Sequence, residues 1–103
     1  MQELRFFNEY SVRTPTWCSA LDLYPGFPAG LSPELQADLR HHAFEFNEYY
    51  DADTGHWPSD FDSRGHYQRG AELAQRLAHE LGSGWAVIFE PWEHGKRKQK
   101  FKA

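Results

Sequence analysis

Residues 70–89 place the strongest demand on the fold. Gly70, Leu73, Ala74, Leu77, Ala78 and Leu81 recur at spacings of three and four, which sets them on one narrow stripe of a helix. The small residues at positions 70, 71, 74 and 78 allow a neighbouring element to approach closely. Gly82 stands where a left-handed C-terminal cap residue belongs. Trp85-Ala-Val-Ile-Phe89 then reads as a short strand buried on both faces, ended by Pro91.

The rest of the chain can be read outward from this unit. Ser32 is a good N-cap, Pro33 suits the first helical position and Glu34 favours the positive end of the helix dipole. Leu35, Leu39, His42, Phe46 and Tyr49 follow on one face, and this first helix should fray near Asp51. Ser59 or Asp60 is the expected cap of the second helix, with Asp62 completing a capping-box variant. Glu3 to Arg13 alternates as a half-buried strand, with Phe7 and Asn8 out of step. Thr14-Pro15-Thr16 breaks that strand, Trp17 to Leu23 allows a second, and Tyr24 to Gly30 is a loop by composition. The expectation is an α+β domain in which two antiparallel helices pack on a small sheet, in the order strand or strands, helix, helix, strand.

At 103 residues there is room for one domain and one core. Hydrophobic residues at 40% are enough to fill that core. The single cysteine, Cys18, excludes an internal disulfide and points to a reducing compartment. The N-terminus lacks the basic region and long apolar run of a signal peptide, and no run approaches ~18 apolar residues. A cytoplasmic protein with no membrane contact is expected.

Charge divides the chain unevenly. All four lysines, with Arg97, fall among Lys96, Lys98, Lys100 and Lys102, while six arginines and all 15 acidic residues precede them. Residues 1–95 therefore carry −9 and form the expected domain; 96–103, at +5, form an expected basic tail.

Several constellations invite chemistry. Asp38, His41, Glu45 and Glu48 share a helix stripe at ligand-like spacing, but matching ligands on the second helix are scattered. An exposed stripe with His41–Glu45 as an i,i+4 pair, contributing ~0.2–0.5 kcal/mol, explains them better. Asp51-x-Asp53 to Asp62 has the length of an EF-hand loop, yet Gly55 at position five, His56 at six and the shorter Asp62 at twelve break the template. Nothing sets a histidine beside Cys18 for nucleophilic catalysis, and no glycine pattern matches a phosphate loop. His42, on the apolar stripe, reads as a hydrogen-bonded core histidine. No catalytic residue, metal ligand or cofactor is expected.

Phe44 is harder to absorb. It lies about 180° around the helix from Leu35, among Arg40, Asn47, Glu48 and Asp51. Tyr50, Trp57 and Tyr67 are expected near it around the helix connector, and aromatic residues dominate interface hot spots.

The run Pro15-Thr-Trp17, then Leu31-Ser-Pro-Glu-Leu35, an aromatic-rich helix and Gly70-Ala-Glu-Leu-Ala-Gln-Arg-Leu-Ala-His-Glu-Leu-Gly82 resembles a group of small uncharacterised bacterial proteins. Their pattern is LSPEL, a tryptophan-containing helix, G..LA..L..ELG and a short closing strand, and here it spans roughly residues 12–90. Phe44 and Phe46 stand near where such relatives often carry tryptophan. The resemblance implies the strand–helix–helix–strand order and brings no activity with it.

The functional expectation is a non-enzymatic protein-binding module of the immunity, inhibitor or adaptor kind. It would use an acidic, aromatic surface with Phe44, Glu48, Tyr50, Trp57 and Tyr67 against another protein or a second copy. The alternative is a nucleic-acid accessory protein working through Lys96, Arg97, Lys98, Lys100 and Lys102. A small enzyme or metal-binding protein using His41 and Glu45 comes third.

Overall fold

Ser32 opens helix α1, Pro33–Tyr49, by accepting a hydrogen bond from the Leu35 amide at 3.1 Å. In the computed structural model, which describes residues 1–18 and 24–103, this cap is doubly held. The Ser32 amide and hydroxyl both donate to the Glu80 carboxylate at 2.8 Å. Glu80 belongs to helix α2, Ser63–Leu81. Ion pairs Arg76–Asp38 at 2.7 Å and Arg69–Glu45 at 3.2 Å continue this antiparallel stapling. The expected core stripe of α1 holds at Leu35, Leu39, His42 and Phe46, but Tyr49 is exposed and stacks on Phe61.

The cap of α2 is Asp62, whose carboxylate accepts from the Gly65 amide at 2.9 Å, and not Ser59 or Asp60. Residues 59–61 form a turn and a bend instead, with the Phe61 amide donating to the Pro58 carbonyl. The α2 stripe of Gly70, Leu73, Ala74, Leu77 and Ala78 is buried as its spacing demanded. Gly82 ends the helix with φ +88°, a region that favours glycine, although its ψ of −174° is extended and not left-handed helical.

Both helices cover one face of a five-stranded mixed sheet. Its strands are β1 Gln2–Phe6, β2 Thr16–Cys18, β3 Tyr24–Pro25, β4 Trp85–Phe89 and β5 Gln99–Lys102, in spatial order β3-β2-β1-β4-β5. Only β1 and β4 run parallel, with Leu4 beside Val87 and Phe6 beside Phe89. Leu4, Phe6, Val87 and Phe89 join Leu31, Leu35, Leu39, Leu73, Ala74, Leu77 and Ala78 in one core. On the opposite sheet face Trp17 stacks on Phe7 at 4.6 Å, and Arg5 pairs with Glu90.

Three further sequence expectations change. The strand over Glu3–Arg13 stops at Phe6 because the chain then turns toward α1. Ser11 takes φ +63°, its amide donates to Asn47 Oδ1, and Tyr10 packs on Phe46. Tyr24–Pro25, expected as loop, pairs with Trp17 and Cys18; the continuation of the second strand to Leu23 lies outside the described residues. The segment expected as a basic tail supplies β5, pairing Phe101 with Val87 and Lys100 with Ile88.

Candidate functional site

Phe44 lies on the solvent side of α1 at 54% exposure, as its helical angle required. Its ring stacks on His41 with centroids 6.0 Å apart. It borders a surface depression shared with Ser11, Arg13, Arg40 and Asn47. Glu48, one turn on, is also exposed and has no ion-pair partner among the described residues. Beyond the helix end the exposed acids Asp51, Asp53, Asp60 and Asp62 follow. The last turn of α1 carries no basic residue, so Glu48 and Asp51 face the negative end of the helix dipole without compensation.

The structure separates Phe44 from the other expected aromatic residues. Trp57 is half-buried and sandwiched between Phe61 and His94, at 5.1 and 5.0 Å. Tyr50 packs edge-on against Trp57 and Trp92. Tyr67 lies further along, against His94 and Phe89, with its hydroxyl accepting from Gln99 Nε2 at 2.7 Å. These rings roof a buried polar cluster and form no common patch with Phe44.

The ligand-like stripe on α1 is largely taken up by ion pairs. Asp38 and Glu45 meet Arg76 and Arg69 of α2, and His41 approaches Glu45 at 4.0 Å. The Asp51–Asp62 connector closes on itself through Asp51 N–H to the His56 carbonyl and Gly55 N–H to the Asp51 carbonyl. In the C-terminal segment Lys100 lies 3.7 Å from Glu3, and Lys96 sits over the Tyr67 ring at 5.6 Å. Arg97, Lys98 and Lys102 are exposed.

Beneath the aromatic roof is a polar cluster of which the sequence showed only His42, buried and hydrogen-bonded as expected. His42 and His66 stack at 3.8 Å, and each ring bonds the other residue's backbone. His42 Nε2–H donates to the His66 carbonyl at 3.0 Å, and His66 Nε2–H donates to the His42 carbonyl at 3.1 Å. These bonds leave the Nδ1 atom of each ring as an acceptor. Asn8 Nδ2 donates both to His42 Nδ1 at 3.2 Å and to Glu93 Oε2 at 2.7 Å. His94 Nε2 stands 2.8 Å from His66 Nδ1. Glu93 Oε1 and Asn8 Oδ1 are buried without a partner.

Burial sets the protonation of this cluster. It holds His42 well below the ordinary histidine range, and the stacked His66 adds to that. It lowers His66 and His94 to about 4, with Lys96 contributing at His94. It pushes Glu93 up to about 7 despite the Asn8 hydrogen bond. All three histidines are therefore neutral at physiological pH, and Glu93 holds its charge poorly without a cation. Among the described residues, His66, Glu93 and His94 are the group able to hold a metal, with one ligand atom each inside 4.8 Å.

No helix among the described residues is long and apolar enough to cross a membrane. A family model described as Serratia CdiI immunity protein-like matches residues 2–92. No curated protein matches the chain.

Proposed function

We infer the function from one premise: the chain belongs to the Serratia CdiI immunity protein-like family. It is a non-enzymatic immunity or inhibitor module, and its work is to bind another protein. The match along residues 2–92 carries this reading, because it spans both helices and four of the five strands. The partner proposed is a toxin protein, held in an inactive complex.

The contact surface we assign to that partner runs along the exposed side of α1, from Phe44 through Glu48 to the acidic connector. Two features support it. Phe44 keeps a large ring in water although it contributes nothing to the core. Glu48 and Asp51 sit at a helix end that disfavours acids by ~0.3–1 kcal/mol each, a cost that a cationic partner would reverse. Tyr50, Trp57 and Tyr67 lie apart from this surface, over the buried polar cluster.

Co-expression with a toxin domain encoded beside this chain should restore growth and yield a complex that copurifies. A toxin left active and unbound at micromolar concentrations of the chain would overturn the reading. Phe44→Ala tests the surface: folding stability should stay within about 0.5 kcal/mol of the parent. Affinity for the toxin should fall by about 25-fold or more, equivalent to ~2 kcal/mol. Unchanged affinity would move the contact surface elsewhere on the molecule. The nucleic-acid alternative gains no support from the family, and Lys96 and Lys100 are engaged by Tyr67 and Glu3.

A further inference from the structure

We propose that His66, Glu93 and His94 form a binding site for one divalent cation of the zinc type. The proposal goes beyond the immunity reading and stands or falls independently of it. Its basis is a set of three donors brought together from α2 and from the short 3-10 helix Trp92–His94. One ligand atom from each lies within 4.8 Å of the others.

The orientation of these donors suits a metal. His66 spends Nε2–H on the His42 carbonyl, so its Nδ1 lone pair points at His94. A backbone carbonyl holding the far nitrogen of an imidazole is the usual outer-shell support of a histidine ligand. Asn8 plays the same part for Glu93, fixing Oε2 and leaving Oε1 buried at a residue only 6% exposed and without a partner. An ordinary polar core leaves few such atoms unsatisfied. A cation here would give the carboxylate the compensating charge it lacks.

The donor set selects the ion. Two imidazoles and one carboxylate fit zinc and its borderline neighbours, whereas calcium and magnesium call for oxygen ligands throughout. The 2.8 Å between His66 Nδ1 and His94 Nε2 is a hydrogen bond. Two nitrogens on a tetrahedral zinc stand about 3.3 Å apart, so a tilt of the half-exposed His94 ring by roughly half an ångström opens the site. A surface depression lined by His56, Trp57, Glu93 and His94 gives an entry path and leaves a fourth position for water. Two positive charges oppose the site: Lys96, which lowers the basicity of His94, and Arg69, which lowers that of His66.

The test uses the full chain after chelator dialysis, titrated with Zn²⁺ by calorimetry and with Co²⁺ as a spectroscopic probe. One equivalent should bind, and zinc at ~100 times its Kd should raise Tm by roughly 10 °C. His94→Ala and Glu93→Gln should each weaken binding by about 100-fold or more while melting cooperatively without metal. His79→Ala, an exposed histidine on the far part of α2, should bind as the parent does. Absence of binding at ~100 μM zinc, or equal binding by the parent, H94A and E93Q, would overturn the site. Glu93→Gln keeps the side-chain volume, so it remains informative even if His94→Ala fails to fold.

Discussion

Gly70 shows how closely α2 sits on its neighbours. A glycine inside a helix ordinarily costs about 1 kcal/mol relative to alanine, so Gly→Ala is usually stabilising. Here an added Cβ would stand 2.8 Å from Phe89 Cζ and 3.0 Å from His42 Nε2, both in buried rings. Overpacking of this kind typically costs ~1–3 kcal/mol. Gly70→Ala should therefore lower stability by about 1–2 kcal/mol in urea unfolding, and a gain would show that α2 can shift away from β4. The close approach was legible in the run of small residues, but the identity of the neighbour was not. The polar cluster left a fainter trace. Asn8 breaks the alternation of the first strand, and the structure shows why: it is 2% exposed and bonded to His42 and Glu93. Glu93 and His94 gave no signal, because their meaning depends on His66, 27 and 28 positions earlier in the chain and joined only through the fold.

At the scale of elements, the caps and stripes of both helices were readable because they are local. Ser32, Pro33 and Gly82 act within one turn of themselves. Competing caps were less separable: Ser59, Asp60 and Asp62 are all good acceptors, and the turn through Pro58 and Phe61 leaves Asp62 the one aligned with the helix. Strand ends depend on partners far away, so the alternation of Glu3–Arg13 overran the true β1 by seven residues. The most consequential change is β5. Its alternation of Gln99, Lys100, Phe101 and Lys102 was masked by charge, yet it turns Phe101 onto the core and covers the edge of β4 with lysines facing out. Deleting residues 96–103 should expose that edge and uncover Phe89. Burying a phenylalanine contributes ~1.5–3 kcal/mol, so Tm should fall by about 8 °C or more. A deletion variant that melts with the intact chain would mean that the segment is a detachable tail.

For the whole molecule, the governing quantity is the charge split. Residues 1–95 carry −9, and the five positive charges that follow are tied to the sheet edge by β5. A field of this size steers a basic protein over distances longer than any single contact, but only while salt leaves it unscreened; the Debye length falls from ~30 Å at 0.01 M to ~3 Å at 1 M. If the acidic connector and Glu48 meet the toxin, the association rate should drop about 10-fold or more between ~20 and ~500 mM salt, with a much smaller change in dissociation. Stopped-flow mixing measures both. The same charge balance predicts the opposite behaviour toward nucleic acid. Phosphates meet a body that repels them, so the intact chain should give no gel shift with duplex DNA at ~50 mM salt. A salt-insensitive association rate would take the acidic surface out of the encounter and leave Phe44 and its arginine-flanked depression to account for binding alone. A DNA shift abolished by neutralising Lys96, Lys98, Lys100 and Lys102 to glutamine would instead make the basic edge a binding surface in its own right.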